Sequence, residues 1–527
     1  MVTFTLDSKM LTVPVGTTLL AAARSQGVDV PTLCHHDAIE PGASCMLCVV
    51  EDVETGVLHP ACATAARPGM RIATASAAVI EARQAALALL LGDHVGDCEG
   101  PCRLACAAGL DIPAMLHAIA AGDWQTAIRV IKTHIALPAT LGRICPAPCE
   151  KVCRRGRLDR SVAICEMKRR AADRDLASDT PYVPTRAAPS GLRVAIVGGG
   201  PAGLSAAWTL WCAGHACTVY DRAGALGGGL RTTALADQLP AGVLNAEIDR
   251  ITALGMDVVT GVTIGADIAL DALKRDHTAV LLACGAGSAD EAIRLGLPGH
   301  VVGAPPYRTV DPRVWVCGAG AHPGRLAVRA VGEGRLAALA VDQMLRGVPV
   351  TAGSRRYNHR IPGTLGAAEL AALAAAGDRV GGEDDGTDDE AVRAVRESAR
   401  CLHCECRKAS SCRLREAAEA NRVALGGWRS KSRRDVEIRR SGNVVYEPGK
   451  CIACGICVRI SEANRRPSGL TFVGRGFDVR VATPFDAPLT QALGEVASAC
   501  VNACPTGALA LGARPRVSVP SSLNPEP

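Results

Sequence analysis

Twenty-four cysteines, most of them gathered into five groups, constrain this 527-residue chain more than any other feature. The first group is Cys34, Cys45, Cys48 and Cys62. The second is Cys98, Cys102 and Cys106. The third is Cys145, Cys149 and Cys153, with Cys165 close behind. The fourth is Cys401, Cys404, Cys406 and Cys412. The fifth is Cys451, Cys454 and Cys457, followed by Cys500 and Cys504. Cys212, Cys217, Cys284 and Cys317 stand alone in apolar sequence and are expected to be small buried hydrophobes. The opening residues, MVTFTLDSKM, lack the marks of a secretory signal. The best apolar run, Ala85 to Leu91, falls far short of the length that a membrane span needs. A soluble, cytoplasmic protein without membrane insertion is therefore expected. In that reducing compartment grouped thiols read as metal or catalytic sites rather than disulfides. The net charge of +6 does not point to nucleic acid, because aromatic stacking residues are only 3% of the chain. A thiolate-bound cluster carries roughly −2, so four or five clusters would cancel that excess.

Residues 1–75 read as a short β-hairpin, a helix and a long Cys-bearing loop. The spacing C-x10-C-x2-C-x13-C suits a 2Fe-2S cluster, whose two irons take two thiolates each; a zinc site is the alternative. The segment resembles the β-grasp ferredoxin domain that opens the large iron–sulfur subunit of complex I and iron-only hydrogenases. Residues 76–187 contain DCEGPCRLAC, GRICPAPCEKVC and AICEM within helical sequence. They resemble the twin-cluster domain of the glutamate synthase small subunit and of dihydropyrimidine dehydrogenase. That resemblance implies two 4Fe-4S clusters. Two such clusters take eight ligands, and the seven cysteines with His94 would make eight, since an imidazole can replace a thiolate. It implies Cys98, Cys102, Cys153 and His94 at one cluster, and Cys106, Cys145, Cys149 and Cys165 at the other. The alternative for His94 is an ordinary residue at a helix end.

Residues 190–350 open with a strand that runs into Gly198-x-Gly200-x-x-Gly203 and a helix. A second strand ends at Asp221. The glycines let backbone approach a pyrophosphate at a helix N-terminus, and the acid suits a ribose hydroxyl. The segment resembles the FAD domain of the glutamate synthase small-subunit family. The resemblance implies FAD held by Gly198, Gly200, Pro201, Ala202, Gly203, Asp221, Arg222, Gly228, Leu230, Arg231, Gly285 and Gly318. In that family an NADPH-binding domain is inserted after the strand that LLACGAG (281–287) matches. Such a domain takes roughly 100 residues, yet only 25 separate Gly287 from Arg313. The nicotinamide site is expected to be lost. The family's closing Gly-Asp is also replaced, by Gly318-Ala319-Gly320, which leaves flavin occupancy open.

Residues 351–400 read as a linker with an acidic stretch. Residues 401–420 give C-x2-C-x-C-x5-C, a four-cysteine segment for a 4Fe-4S cluster or zinc. Residues 440–515 carry C-x2-C-x2-C and a later C-P. In two-cluster ferredoxins the Cys before Pro ligates the other cluster. Here Ser461 occupies the place of a fourth Cys, so Cys451, Cys454, Cys457 and Cys504 complete one 4Fe-4S centre and Cys500 is spare. This end also resembles the ferredoxin segment of the complex I subunit. Residues 516–527 are expected to be a disordered tail.

The fold expected is multidomain, α/β and α+β: a β-grasp 2Fe-2S ferredoxin, a helical twin-cluster domain, a Rossmann-like FAD domain and a ferredoxin-like end. Clusters move single electrons, while FAD takes two and releases them singly. The function expected is an electron-transfer subunit of a multisubunit oxidoreductase. It joins an NAD(P)H-oxidising partner, such as a complex I-type NADH-binding FMN subunit, to another catalytic subunit, with the substrate site on its partners. The alternatives are a self-sufficient NAD(P)H-dependent reductase of the glutamate synthase type and a non-enzymatic redox sensor or scaffold.

Overall fold

The computed structural model describes residues 1–232, 237–285, 295, 307–318, 326–352, 356–375, 389–424, 435–464 and 469–512. The expectations that concern Gly287, Ala319, Gly320, most of the acidic stretch and the 516–527 tail lie outside the described residues. Two compact units form. The first comprises Met1–Gly100, Arg356–Ala376 and Cys404–Pro515; the second comprises Pro101–Arg355, Gly377–His403 and Arg516–Pro527. The chain passes from one unit to the other inside two cysteine groups: between Cys98 and Cys102, and between Cys401 and Cys404.

In the first unit, β1 (Val2–Leu6) and β2 (Lys9–Val13) form an antiparallel hairpin. Asp7 and Ser8 turn it, both with positive φ, as a two-residue hairpin loop of the twist-matching kind requires. Strands β3 (Val49–Asp52), β4 (Val57–Pro60) and β5 (Arg71–Ala73) complete a sheet of order β2-β1-β5-β3-β4, with β5 parallel to β1. Alternation along β1 turns Val2, Phe4 and Leu6 inward, where they meet Leu19, Leu20, Cys48 and Cys62. Helix Leu19–Ser25 starts at Thr18, whose hydroxyl accepts the Ala21 N–H and so satisfies one open helix donor. The C-terminal part of the unit pairs strands Arg439–Ser441, Val444–Tyr446 and Leu509–Leu511 in one antiparallel sheet. Helices Ile456–Ala463 and Ala497–Ala503 share a core with that sheet through Ile456, Ile460, Val501 and Tyr446.

The second unit combines a helical core with a parallel sheet. Helices Ile112–Ala120 and Trp124–Lys132 start at Asp111 and Asp123, whose carboxylates accept the Ala114 and Thr126 N–H groups. They bury Met115, Ile119, Ile128 and Ile131 together with Leu141, Ile164 and Met167 from helices Pro138–Ile144 and Ile164–Leu176. Strands β6 (Arg193–Val197), β7 (Ala216–Asp221), β8 (Asp257–Thr260), β9 (Ala279–Leu282) and β10 (Val314–Val316) form a sheet of order β10-β9-β6-β7-β8, every neighbouring pair parallel. Its central strands read as continuous apolar runs because both faces are covered. Helix Pro201–Cys212 crosses from β6 to β7, and helix Ala327–Leu345 packs closely on it. A Cβ at Gly334 would stand 2.0 Å from the Ala202 carbonyl oxygen, so only glycine lets those two backbones approach. No helix among the described residues is long and apolar enough to cross a membrane.

Candidate metal and flavin centres

The loop after the first helix brings Cys34, Cys45, Cys48 and Cys62 together. All four are buried, at 1 to 6% exposure. The Cys34 thiol lies within hydrogen-bond reach of those of Cys45 and Cys62, and Cys62 also reaches Cys48. Contact with Cys62 holds the Cys48 thiol down to about 7. Ala43 and Met46 both take left-handed backbone to fold the loop round these sulfurs. Buried Arg83 stands near Cys48 and donates to the Val49 carbonyl at 2.9 Å.

In the ferredoxin-like end, Cys451, Cys454, Cys457 and Cys504 line one cavity with Tyr446, Val481 and Ile456. Ala453 and Gly455, with φ of 51° and 72°, curl the C-x2-C-x2-C segment before helix Ile456–Ala463 begins. Burial pushes Cys454 up to about 12. Ser461 and Cys500 are fully buried, and each donates to the Cys457 carbonyl, at 2.9 and 3.7 Å. Arg459 straps this centre to the first one. Its guanidinium donates to the carbonyls of Cys34 at 3.2 Å, Cys454 at 3.0 Å and Glu40 at 2.8 Å.

In the second unit, Cys106, Cys145, Cys149 and Cys165 line a cavity with Ile112, Ile135 and Lys168. Prolines set this shape. Pro146 disfavours helix at the residue before it, so Cys145 is extended; Ala147, before Pro148, is left-handed at φ 48°. A one-turn helix then carries Cys149 to the same side. Burial pushes Cys149 up to about 12, and contact with the Cys165 thiol holds Cys145 down to about 6. Lys168, itself buried, donates to the Leu141 carbonyl at 3.2 Å and supplies positive charge beside Cys145 and Cys149.

The two remaining groupings look different in three dimensions from their order along the chain. Cys98 lies in the first unit, whereas Cys102 and Cys153 lie in the second, so His94, Cys98, Cys102 and Cys153 are not gathered within one unit. The run from Cys401 to Cys412 is also divided. Cys401 packs on the helical core with Cys102 and Cys153, while Cys406 and Cys412 lie beside Cys98. Spacing missed this because the segments concerned stand on either side of the helical and nucleotide-binding stretches of the chain. It also missed the cations Lys168, Lys408, Arg415, Lys450 and Arg459. Their only mark in the sequence is a basic residue next to or between cysteines.

Among the described residues, no group of three or more His, Cys, Asp or Glu side chains is closed tightly enough to hold a single ion. Two of the sets, Cys106 to Cys165 and Cys451 to Cys504, border cavities, and a cluster of several irons spreads its thiolates wider than one zinc ion does. The residues fit iron–sulfur clusters.

The nucleotide end of the parallel sheet carries the glycine turn. Gly198 has φ 107°, and a Cβ there would meet the Ala283 oxygen at 2.5 Å. A Cβ on Gly203 would fall 1.8 Å from the Gly198 oxygen, so this glycine seats the helix on its strand. Gly200 is the N-cap of helix Pro201–Cys212 and offers no side-chain cap, which leaves the first helical donors open for a phosphate. Its nearest obstacle is Gly228, at 4.0 Å. Asp221 closes β7 with its oxygens accepting the Gly199 and Ala223 N–H groups at 2.7 and 2.8 Å. Leu226 and Leu230 are buried, and Arg231 donates to the Leu226 carbonyl and to Asn245. Arg222 and Gly285 are exposed, Pro201 is half-buried, and Gly318 and Ala202 are buried against each other. This cradle fits a dinucleotide.

Three family profiles match along the chain. A 2Fe-2S iron–sulfur cluster binding domain covers residues 1–77. Dihydropyrimidine dehydrogenase domain II, 4Fe-4S cluster, covers 88–180. An NAD(P)-binding Rossmann-like domain covers 196–247. The chain is a mosaic of redox domains. The mosaic is 36% identical over 221 residues to the NADP(+)-dependent formate dehydrogenase subunit beta of Moorella thermoacetica, covering 38% of this chain and 31% of that protein. It is 37% identical over 188 residues to the NADPH-Fe(3+) oxidoreductase subunit beta of Geobacter sulfurreducens, covering 35% and 28%. It is 38% identical over 178 residues to the glutamate synthase [NADPH] small chain of Bacillus subtilis, covering 33% and 36%. The mosaic thus spans about a third of the length of the curated relatives it matches. The expected joining of a 2Fe-2S module to a twin-cluster and Rossmann-like pair is borne out.

Proposed function

We propose that this chain is an electron-transfer subunit of a multisubunit oxidoreductase. It passes electrons between an NAD(P)H-oxidising partner, of the complex I FMN-subunit kind, and another catalytic subunit. The observation that carries this reading is the number of separate buried and half-buried thiol sets disposed over both units together with one dinucleotide cradle. The relatives' names support it, since each designates a subunit or small chain of a redox enzyme. The groups bound are one 2Fe-2S cluster, four 4Fe-4S clusters and FAD; they supply one-electron steps and a two-to-one-electron junction. Cys34, Cys45, Cys48 and Cys62 hold the 2Fe-2S cluster. Cys106, Cys145, Cys149 and Cys165 hold one 4Fe-4S cluster, and Cys451, Cys454, Cys457 and Cys504 another. The remaining two draw on His94, Cys98, Cys102, Cys153, Cys401, Cys404, Cys406 and Cys412. The protein's own part is to bury these sulfurs, to set buried cations beside them and to offer open helix donors to the FAD pyrophosphate. The 24 cysteines suit the cytoplasm.

Anaerobic purification, followed by iron, acid-labile sulfide and flavin analysis, tests this. About eighteen irons and one FAD per chain are expected. Addition of NADH or NADPH leaves the flavin absorbance unchanged unless the partner is present. Prompt bleaching by either nucleotide alone supports instead the self-sufficient reductase, the reading that the name of the Rossmann-like profile favours. Zinc in place of iron overturns both.

A further inference from the structure

We propose that Cys98, Cys406 and Cys412, with the imidazole of His94, form one iron–sulfur centre inside the first unit, while Cys102, Cys153 and Cys401 belong to a different one. The inference rests on reading the chain as an iron–sulfur protein and decides which thiols share a centre.

Backbone pairing brings the segments together. The Cys406 N–H donates to the Cys98 carbonyl at 3.4 Å, and Asp97 and Glu405 form a parallel β-bridge. A third segment joins them. The Cys98 N–H donates to the His359 carbonyl at 3.0 Å, and the His359 N–H donates to the Cys98 sulfur at 3.4 Å. Ile361 N–H donates to Asp97 at 2.7 Å. A backbone donor aimed at a sulfur is what a cluster thiolate accepts. Cys412 stands at the start of helix Arg413–Ala420, and the turns in which the Ala409 N–H donates to the Cys406 carbonyl at 3.2 Å and the Ser411 N–H to the Lys408 carbonyl at 3.1 Å carry the chain from Cys406 to it. The three sulfur residues are 6 to 8% exposed.

Room and charge point the same way. A Cβ at Gly507 would stand 2.3 Å from the Cys406 sulfur, so a glycine keeps that side of the thiol clear. Three cations face the set: Arg415 beside Cys98, Lys408 beside Cys406 and Cys412, and Lys450 beside Cys406. Arg415 and Lys450 are balanced by Glu99 and Glu447 at 2.6 and 2.7 Å. Among the described residues, Lys408 donates only to the carbonyls of Val501 and Cys504. A neutral apolar cysteine core gives no reason for an uncompensated ammonium there; an anionic cluster does. The fourth ligand falls to His94. It is 7% exposed, its Nδ1 has no partner among the described residues, and its carbonyl accepts from His359 Nε2 at 2.9 Å. On the other side of the division, Arg155 stands beside Cys153 and donates to the Arg400 carbonyl at 3.4 Å, next to Cys401.

The test uses the full chain, reduced anaerobically and read by electron paramagnetic resonance with iron analysis. Cys98→Ser, Cys406→Ser and Cys412→Ser each remove one and the same signal and about four irons. Cys102→Ser, Cys153→Ser and Cys401→Ser remove a second signal and spare the first. Gly507→Ala, which crowds only the Cys406 sulfur, shifts the first signal in a chain that retains its thermal transition; this arm holds even if a serine variant fails to fold. His94→Cys, which puts a thiolate where the imidazole stands, keeps the irons and lowers the midpoint potential of the first signal. Loss of one common signal in Cys401→Ser and Cys406→Ser, or in Cys98→Ser and Cys102→Ser, overturns the grouping. An unmoved potential in His94→Cys overturns the histidine's part. A wild-type chain without iron instead defeats the electron-transfer reading itself.

Discussion

Glu247 occupies the buried face of an amphipathic helix, and both its oxygens are spent on the start of another helix. They accept the N–H groups of Ala139 and Thr140 at 2.6 and 2.7 Å, ahead of the cysteine-bearing turn that begins at Cys145. Burial pushes this carboxyl up to about 7. The folded chain therefore binds the proton more tightly than the unfolded chain. Its contribution is complete below the ordinary carboxylate range and is lost as pH rises through about 7. Urea unfolding of wild type and Glu247→Ala between about pH 4.5 and about pH 7.5 measures this. The difference between them should shrink by about 3 kcal/mol toward the upper end. Lys132 and Asp175 make the opposite case, an ion pair 2.6 Å long with side chains 8% and 4% exposed. Asp175→Ala strands the ammonium between the rings of Tyr182 and Trp208. It should cost about 3–5 kcal/mol in urea unfolding. A serine–histidine–aspartate line also exists, Ser190 to His215 at 2.7 Å and His215 to Asp342 at 2.9 Å. His215 is fully buried, so the line ties the strand entry to helix Ala327–Leu345 rather than meeting a substrate.

At the level of elements, two glycines of one motif have separable duties. Gly203 is pressed against the Gly198 oxygen, whereas Gly200 faces open space beyond Gly228. On the proposed flavin reading, Gly203→Ala should lower the thermal midpoint and abolish flavin retention together. Gly200→Ala should leave the midpoint within a few degrees and still lose the flavin, because its methyl enters the phosphate position without displacing backbone. Flavin absorbance and a thermal melt, run on both variants, separate the two. Ser461, in the place of a fourth cysteine, and the spare Cys500 each spend their one proton on the Cys457 carbonyl in a dry core.

Across the whole molecule, charge and sulfur are arranged together. Arg459 binds carbonyls of both Cys34 and Cys454, so one guanidinium fixes the loop of the 2Fe-2S site to the ferredoxin-like site. Arg459→Ala should speed the loss of the 2Fe-2S absorbance in air several-fold, with less effect on the total iron at the start. The glycine turn, the strand–helix–strand order around it, the 2Fe-2S spacing and the C-P closure of the last centre were all legible in the sequence. Each is a local matter: proline and glycine restrict nearby dihedrals, and short spacings fix which sulfurs one turn can present. Cys106, Cys145, Cys149 and Cys165 lie in one domain-sized stretch, and the twin-cluster resemblance was enough to bring them together. Cys98 and Cys401 to Cys412 were different. They belong to segments far apart along the chain, which leaves one unit for the other between Cys98 and Cys102 and again between Cys401 and Cys404. The sequence by itself therefore determined the ligand chemistry and the local cradles. Only the tertiary structure decided which distant thiols share a neighbourhood and which buried cations face them, because burial of long-range core, not spacing along the chain, sets those distances.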